Sequence, residues 1–353
     1  MSNRIGNSIS VQIFGQSHSK VIGCVIEGLP AGFAPDMERI QKDLDRRRGG
    51  MNKYSTPRAE EDLPYVLSGL VDGKTCGAAL CVSFKNRNTV SDNYNEFKNT
   101  PRPGHADYTA YVRTNGNNDI RGGGEFSGRM TLPLCFAGSL CKQLLESKGV
   151  YIGAHIASVG IINDVLYDPV NLTRQDLEYD GFPVLDRDME EVMKNYMTEI
   201  AEEGDSVGGI IECAAIGMPA GYGSPMFEGV ESEIAKIIFG IPAIKGIEFG
   251  AGFSVAQMKG SENNDPYEYD RGKVVTVTNN AGGILGGITN GMPIIFRCAV
   301  KPTPSIAKEQ HTVDLSRKTE SVINIKGRHD PCIVPRAVPV IEAACALALI
   351  NLL

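Results

Sequence analysis

Two stretches of this chain, 130–145 and 338–353, have helical periodicity yet are apolar on nearly every face. A helix with one apolar stripe lies on a protein surface, whereas one that is apolar all round must be covered on every side. The longest apolar run, 343–353, is interrupted by Asn351 and falls short of the ~20 residues that a membrane-spanning helix needs. The two helices are therefore expected to form a central layer sandwiched between other elements of a soluble protein. Strands at 8–14, 21–26, 78–84, 208–215, 274–277 and 293–300, each bounded by Gly, Pro or Asn, are the candidates for its cover. Further helical periodicity marks 36–48, 189–203 and 231–239, and extends the first apolar helix over 129–148. The expected fold class is α+β, as one domain over 1–353, because no Pro/Ser-rich stretch divides the chain.

Charge and cysteine content narrow the function classes. Lys and Arg number 35 against 42 Asp and Glu, a formal net charge of −7, so a polyanionic nucleic-acid partner is not expected and any anion site must be a local basic pocket on an acidic body. Nine cysteines are scattered without a Cys-x-x-Cys pair, which suits neither a disulfide framework nor a zinc ribbon and points to reduced thiols in the cytoplasm. No apolar leader precedes residue 20, so neither export nor a membrane anchor is expected.

The polar chemistry is gathered in four loop clusters. Gly15-Gln16-Ser17-His18-Ser19 follows a strand and presents a hydroxyl and an imidazole at a sheet edge. Arg102-Pro-Gly-His105-Ala-Asp107-Tyr108 is followed by Arg121-Gly-Gly-Gly124-Glu125-Phe126-Ser127-Gly128-Arg129, where successive glycines before a helix expose backbone N–H groups and Ser127 can cap the helix or donate to a ligand. Asp43-Leu-Asp45-Arg46-Arg47-Arg48, with Lys53 and Arg58 beyond it, puts cations at a helix C-terminus. That placement complements the helix dipole, and the arginine forks also match phosphate or carboxylate. Lys301-Pro-Thr-Pro-Ser305 and Gly327-Arg328-His329-Asp330 through Arg336 form the fourth cluster, rigid turns that concentrate ionisable groups.

Other signals fail. The stretch 68–75 approaches a phosphate-binding loop, but Gly69 is one residue too close to Gly73, and Asp72-Gly73 between apolar runs makes a better hairpin turn. No Gly-x-Gly-x-x-Gly opens a helix after a strand, and the histidines have no metal-ligand spacing. The echo between 207–219 and 281–293, Gly-Gly-Ile followed by Gly-Met-Pro, is too short to establish a duplication.

In the blocks Gly15-Gln-Ser-His-Ser, Asp43-Leu-Asp-Arg-Arg-Arg, Arg102-Pro-Gly-His-Ala-Asp-Tyr-Thr, Arg121-Gly-Gly-Gly, Ala281-Gly-Gly-Ile-Leu-Gly-Gly-Ile and Gly327-Arg-His-Asp-Pro-Cys, with Lys301-Pro and Arg336-Ala-Val-Pro, the sequence resembles the chorismate synthase family. The resemblance implies a β-α-β sandwich with a central helical layer between antiparallel sheets, usually as a homotetramer. It implies a lyase that removes phosphate and a ring hydrogen from 5-enolpyruvylshikimate 3-phosphate by 1,4-anti elimination, the last step of the shikimate pathway, using reduced FMN as a transient electron donor. The compact length favours supply of reduced flavin by an external reductant over an intrinsic NADPH-dependent activity.

Carried over residue by residue, the resemblance makes His18 the acid facing the phosphate. His105 becomes the group beside the flavin that steadies its anionic reduced form, Asp330 the carboxylate that takes a proton from the flavin N5 side, and Ser17 and Ser127 relay hydroxyls. Arg47, Arg48, Lys53, Arg129 and Arg336 fall on the substrate side. Glu125, Phe126, Ser127, Ala243, Gly286, Lys301, Pro302, Thr303, Pro304, Ser305 and Arg328 fall on FMN positions. Many relatives carry Arg-Ser-Ser-Ala-Arg where this chain has Glu125 to Arg129, and Gly-Glu-Ser-His-Gly where it has Gly15 to Ser19; the serines at 17 and 127, His18 and Arg129 match. An anion and an aromatic ring thus replace a cation and a hydroxyl at 125 and 126.

Overall fold

The computed structural model describes residues 3–50, 55–56, 60–88, 94, 97–325 and 329–353. Its helices are α1 (Met37–Arg47), α2 (Asp107–Thr114), α3 (Thr131–Glu146), α4 (Asp188–Glu202), α5 (Val230–Ile238), α6 (Gly260–Asn263) and α7 (Val334–Ile350). The two all-round apolar helices, α3 and α7, are buried along nearly their whole length. They pack on each other, with α3 against one five-stranded sheet and α7 against another.

The first sheet runs, in spatial order, Arg4–Ile5, Ser10–Phe14, Val21–Glu27, Leu80–Lys85 and Tyr65–Ser68. The second runs Ile244–Phe249, Ile294–Val300, Gly209–Ile216, Tyr151–Val159 and Ile162–Asn163. Every neighbouring pair in both sheets is antiparallel, so the class is α+β, with helices layered between antiparallel sheets. Register places Ile22 opposite Phe84 and Cys24 opposite Val82 on one face of the first sheet, all four fully buried. Phe84 meets Phe136 of α3 edge-on at 6.0 Å between ring centres.

Backbone approach sets how close α3 and α7 can come. A Cβ at Gly138 would stand 2.2 Å from Ala343 Cβ and 2.3 Å from Ala343 Cα. Only a residue without a side chain admits that contact. One turn away the apolar interface closes around charge. Glu342 of α7 accepts from Lys142 of α3 at 2.6 Å and from both terminal nitrogens of Arg46 of α1 at 2.6 and 3.0 Å. Arg46 also lies over the Tyr179 ring, and Asp43 takes the Ser139 hydroxyl at 2.7 Å. Burial by itself would raise the Glu342 carboxyl, but Arg46 and Lys142 outweigh it and bring it down to about 2. At the far end of α7, Asn351 accepts the N–H groups of Asn7 and Ile9 at 2.9 and 3.0 Å and donates to the Ile9 carbonyl at 3.0 Å.

The structure adds to the sequence expectations at several points. α7 begins at Val334 rather than 338, since Pro335 occupies the first turn, where no N–H is needed, and Pro339 removes a single helix bond. The segment 69–75 is a hairpin, Leu70–Val71 with Lys74–Thr75, turned by Asp72 and Gly73 at positive φ. The echoing segments differ: one is the central strand Gly209–Ile216, the other the small hairpin Ile284–Leu285 with Ile288–Thr289. The strand Tyr151–Val159 was not anticipated, because His155 interrupts its apolar run. That imidazole is enclosed, with Nε2 3.0 Å from Glu212 Oε2 and Nδ1 3.5 Å from Asp164 Oδ2.

Glu342 has an ordinary pKa of 4.5 when unfolded and about 2 when folded, so its contribution is complete above about pH 4.5 and is lost as pH falls towards 2. Removing one partner of a buried ion pair costs about 3–5 kcal/mol. Glu342→Gln is expected to lower the unfolding free energy at pH 7 by about that amount, with the gap to wild type narrowing by pH 3. Urea unfolding at both pH values checks this; a gap that does not change with pH would refute it.

Candidate active site

A cavity of about 800 Å³ gathers segments that are remote in sequence. Ser17, His18, Arg47, Arg48, His105, Glu125, Phe126, Ser127, Arg129, Ala243, Lys301, Thr303, Pro304, Asp330 and Arg336, all singled out in the sequence, border it. Ser305 lies just behind the wall, where its hydroxyl is 2.6 Å from His105 Nε2. Pro302 is exposed and Gly286 turns the hairpin after Leu285; neither borders the cavity. Lys53, Arg58 and Arg328 lie outside the described residues.

The loop carrying Ser17 and His18 is held against the glycine run. Ser17 N–H donates to Gly124 O at 3.0 Å, and a Cβ on Gly122 would fall 2.5 Å from Ser17 Oγ and 2.7 Å from His18 Nε2. Gly122, Gly123 and Gly124 all have φ between 56° and 84°, the left-handed region that glycine enters without steric cost. They form a tight turn here instead of feeding a helix directly. Ser127 then caps the short 3₁₀ turn Gly128–Met130, accepting Arg129 N–H at 3.2 Å, and α3 follows at Thr131. His18 meets Tyr94 edge-on at 5.3 Å.

His105 is set by a buried brace. Arg102 and Asp107 pair through both guanidinium nitrogens at 2.7 and 2.9 Å, with the Arg102 guanidinium 5.0 Å from the Phe97 ring centre. Burial, then the cationic Arg102 and Lys301 nearby, push the His105 imidazole down to about 3. His105 is thus a neutral ring that can exchange hydrogen bonds but carries no charge near neutrality. Lys301 donates to Gly104 O at 2.6 Å, and burial together with neighbouring Lys245 lowers its pKa.

On the opposite side, Asp330 accepts Thr56 N–H at 2.8 Å and Arg336 Nη1 at 2.6 Å. Arg336 Nε donates to the Arg47 carbonyl at 2.9 Å. Arg47 is 3% exposed, and burial followed by the nearby Arg129 and Arg336 brings its pKa down to about 10 despite Asp62. Three residues that the sequence reading left without a role now border the cavity: Asp62, His329 and Lys245. The acidic run Glu60-Glu61-Asp62 so soon after three arginines was the available signal for the first. His329 stood inside a recognised cluster, whereas nothing marked Lys245.

Ser17 Oγ, Thr303 Oγ1, Arg129 Nη2 and His329 Nε2 are buried at this cavity without a hydrogen-bond partner among the described residues. Buried polar atoms are rarely left so. Together with the glycine turn, they fit a ligand bearing several oxygen anions. A sheet–helix–sheet sandwich that encloses imidazoles, a held carboxylate and guanidinium groups defines an enzyme site for a small polyanion. The profile of the family described as "Chorismate synthase" matches residues 9–353. Chorismate synthase of Dehalococcoides mccartyi is 42% identical over 352 residues, covering 100% of this chain and 96% of that one. The same enzyme of Thermococcus gammatolerans is 46% identical, covering 98% and 95%. A crystal structure of chorismate synthase superposes with a TM-score of 0.77 at 28% identity, covering 99% of this chain and 92% of the other. The chain belongs to the chorismate synthase family.

A neutral His105 has a direct signature. In ligand-free protein its ring resonances are expected to stay in the neutral range between pH 8 and pH 5, and NMR titration checks this. A midpoint near the ordinary 6.5 would show that Arg102 and burial do not control the ring.

Proposed function

We propose that this cavity binds 5-enolpyruvylshikimate 3-phosphate beside reduced FMN and eliminates phosphate and a ring hydrogen to give chorismate. The observation that carries the reading is the meeting of Ser17, His18, His105, Asp330 and four arginines around one hollow where four buried polar atoms lack partners among the described residues. The substrate brings a phosphate and two carboxylates, and FMN brings another phosphate, which suits a cavity bordered by Arg48, Arg129, Arg336, Lys245 and Lys301. Bound reduced FMN would lend electron density to cleavage of the allylic C–O bond and recover it as the hydrogen leaves.

The chain's own residues manage protons and position. His18 donates to the departing phosphate, a proton transfer that an imidazole can make. Ser17, with its hydroxyl unpartnered and next to Gly122, is placed to relay that proton. Asp330, fixed by Thr56 and Arg336, can accept a proton only as a carboxylate. His105, being neutral, steadies the reduced flavin through a hydrogen bond rather than by charge. Residues 125–127, Ala243 and the 301–305 segment make the flavin side, with Phe126 supplying an apolar face. Ser127 already uses its hydroxyl as a cap, so its part is to hold Arg129 as much as to relay.

The family resemblance supports a homotetramer, the compact length supports an external flavin reductant, and nine unpaired cysteines support a reducing, cytoplasmic setting. No helix among the described residues is long and apolar enough to cross a membrane.

The test is an anaerobic assay with dithionite-reduced FMN and 5-enolpyruvylshikimate 3-phosphate, in which chorismate is expected without ATP. His18→Ala should lower turnover by roughly 10²–10⁴ with FMN affinity nearly unchanged. No chorismate from the wild type would reject the reading, and normal turnover by the variant would remove His18 from proton donation.

A further inference from the structure

Two of the cavity's arginines converge on one acid. Asp62 is 3% exposed; its Oδ1 is ion-paired with Arg129 Nη1, and its Oδ2 lies 3.2 Å from Arg47 Nη1. The remaining donors of the two guanidiniums are used differently. Arg47 Nε goes to Thr131 Oγ1 at 3.0 Å and its Nη2 to the Gly128 carbonyl at 3.2 Å, so each of its nitrogens is bound to protein. Arg129 Nε goes to Asn86 Oδ1 at 3.0 Å, and Arg129 Nη2 is buried with no partner among the described residues. Two adjacent buried guanidiniums repel each other unless an anion sits between them, and Asp62 is that anion.

We infer that Asp62 is a positioning residue of this site: its carboxylate clamps Arg129 against the brace of Arg47, so that Arg129 Nη2 alone points out to take an anionic oxygen of the substrate. The inference rests on the substrate class given under the proposed function and deepens it. Arg47 then acts as a strut rather than a ligand, although the sequence placed both arginines on the substrate side. The backbone agrees with a dedicated placement. Asp62 has φ of +52°, a conformation that Asp and Asn tolerate better than other residues with side chains. Asp62→Asn therefore keeps both shape and backbone preference while removing the charge that holds the two cations.

In the anaerobic assay with saturating reduced FMN, Asp62→Asn is expected to raise KM for 5-enolpyruvylshikimate 3-phosphate by about 10- to 100-fold, with a smaller fall in kcat. The affinity for oxidised FMN, read by flavin fluorescence, should stay within about 2-fold, the mark of an unchanged uniform binding on that side. Asp62→Glu, which keeps the charge, should recover part of the KM. A folded Asp62→Asn with unchanged KM overturns the inference, as does a loss confined to kcat. If Asp62→Asn does not fold, Asp62→Glu decides: a raised KM with FMN affinity kept supports the clamp, and an unchanged KM overturns it. Failure of the wild type to form chorismate would instead reject the functional reading, and this inference with it.

Discussion

Everything in this molecule is arranged around a contact between two helices that have no face to offer to water. α3 and α7 meet with Gly138 against Ala343, close enough that a single methyl group would not fit. Enclosing such a pair requires a sheet on each side, and both sheets are antiparallel throughout although several neighbouring strands lie far apart in the chain. The charge inside this layer is not incidental. Glu342, Lys142, Arg46 and Asp43 join α1 to the helical pair, and the last turn of α1 supplies Arg47 to the cavity. Packing and site thus share an element: the helix that seals the core also delivers the brace for Arg129.

The outline of this arrangement was readable where periodicity is strong and was lost where buried polar groups interrupt it. The all-round apolar character of 130–145 and 338–353 predicted the central layer, because no other environment accommodates such helices. The strand Tyr151–Val159 escaped notice since His155 looks like a surface residue until Glu212 and Asp164 are seen to satisfy it. The hairpin Glu309–Asp314 with Thr319–Asn324 pairs along its full length but has few apolar side chains, so its pairing is carried by backbone bonds that the sequence does not advertise. At the site, loop composition located the imidazoles and arginines. It could not show that Arg47 is saturated and Arg129 is not, because that difference depends on Asp62, Thr131 and Asn86 arriving from three separate segments.

The cavity also shows how an acidic protein can receive a heavily charged ligand. Its cations are not simply massed: Arg336 is paired with Asp330, Arg47 and Arg129 share Asp62, and Arg102, which does not border the cavity, is paired with Asp107. Pairing fixes each guanidinium in direction, and what remains for a ligand is a small set of oriented donors rather than a diffuse positive field. Preorganisation of this kind matters more than total charge when a leaving group must be held in one orientation. Burial and Arg102 keep His105 neutral, which sets this imidazole apart from the proton-donating role proposed for His18.

The side chain of Asn351 stitches the end of α7 to residues 7–9, immediately before the strand that leads into Ser17 and His18. One amide side chain thereby closes a sequence separation of at least 342 residues, so a displacement of the end of α7 would pull on the strand that carries the loop of Ser17 and His18.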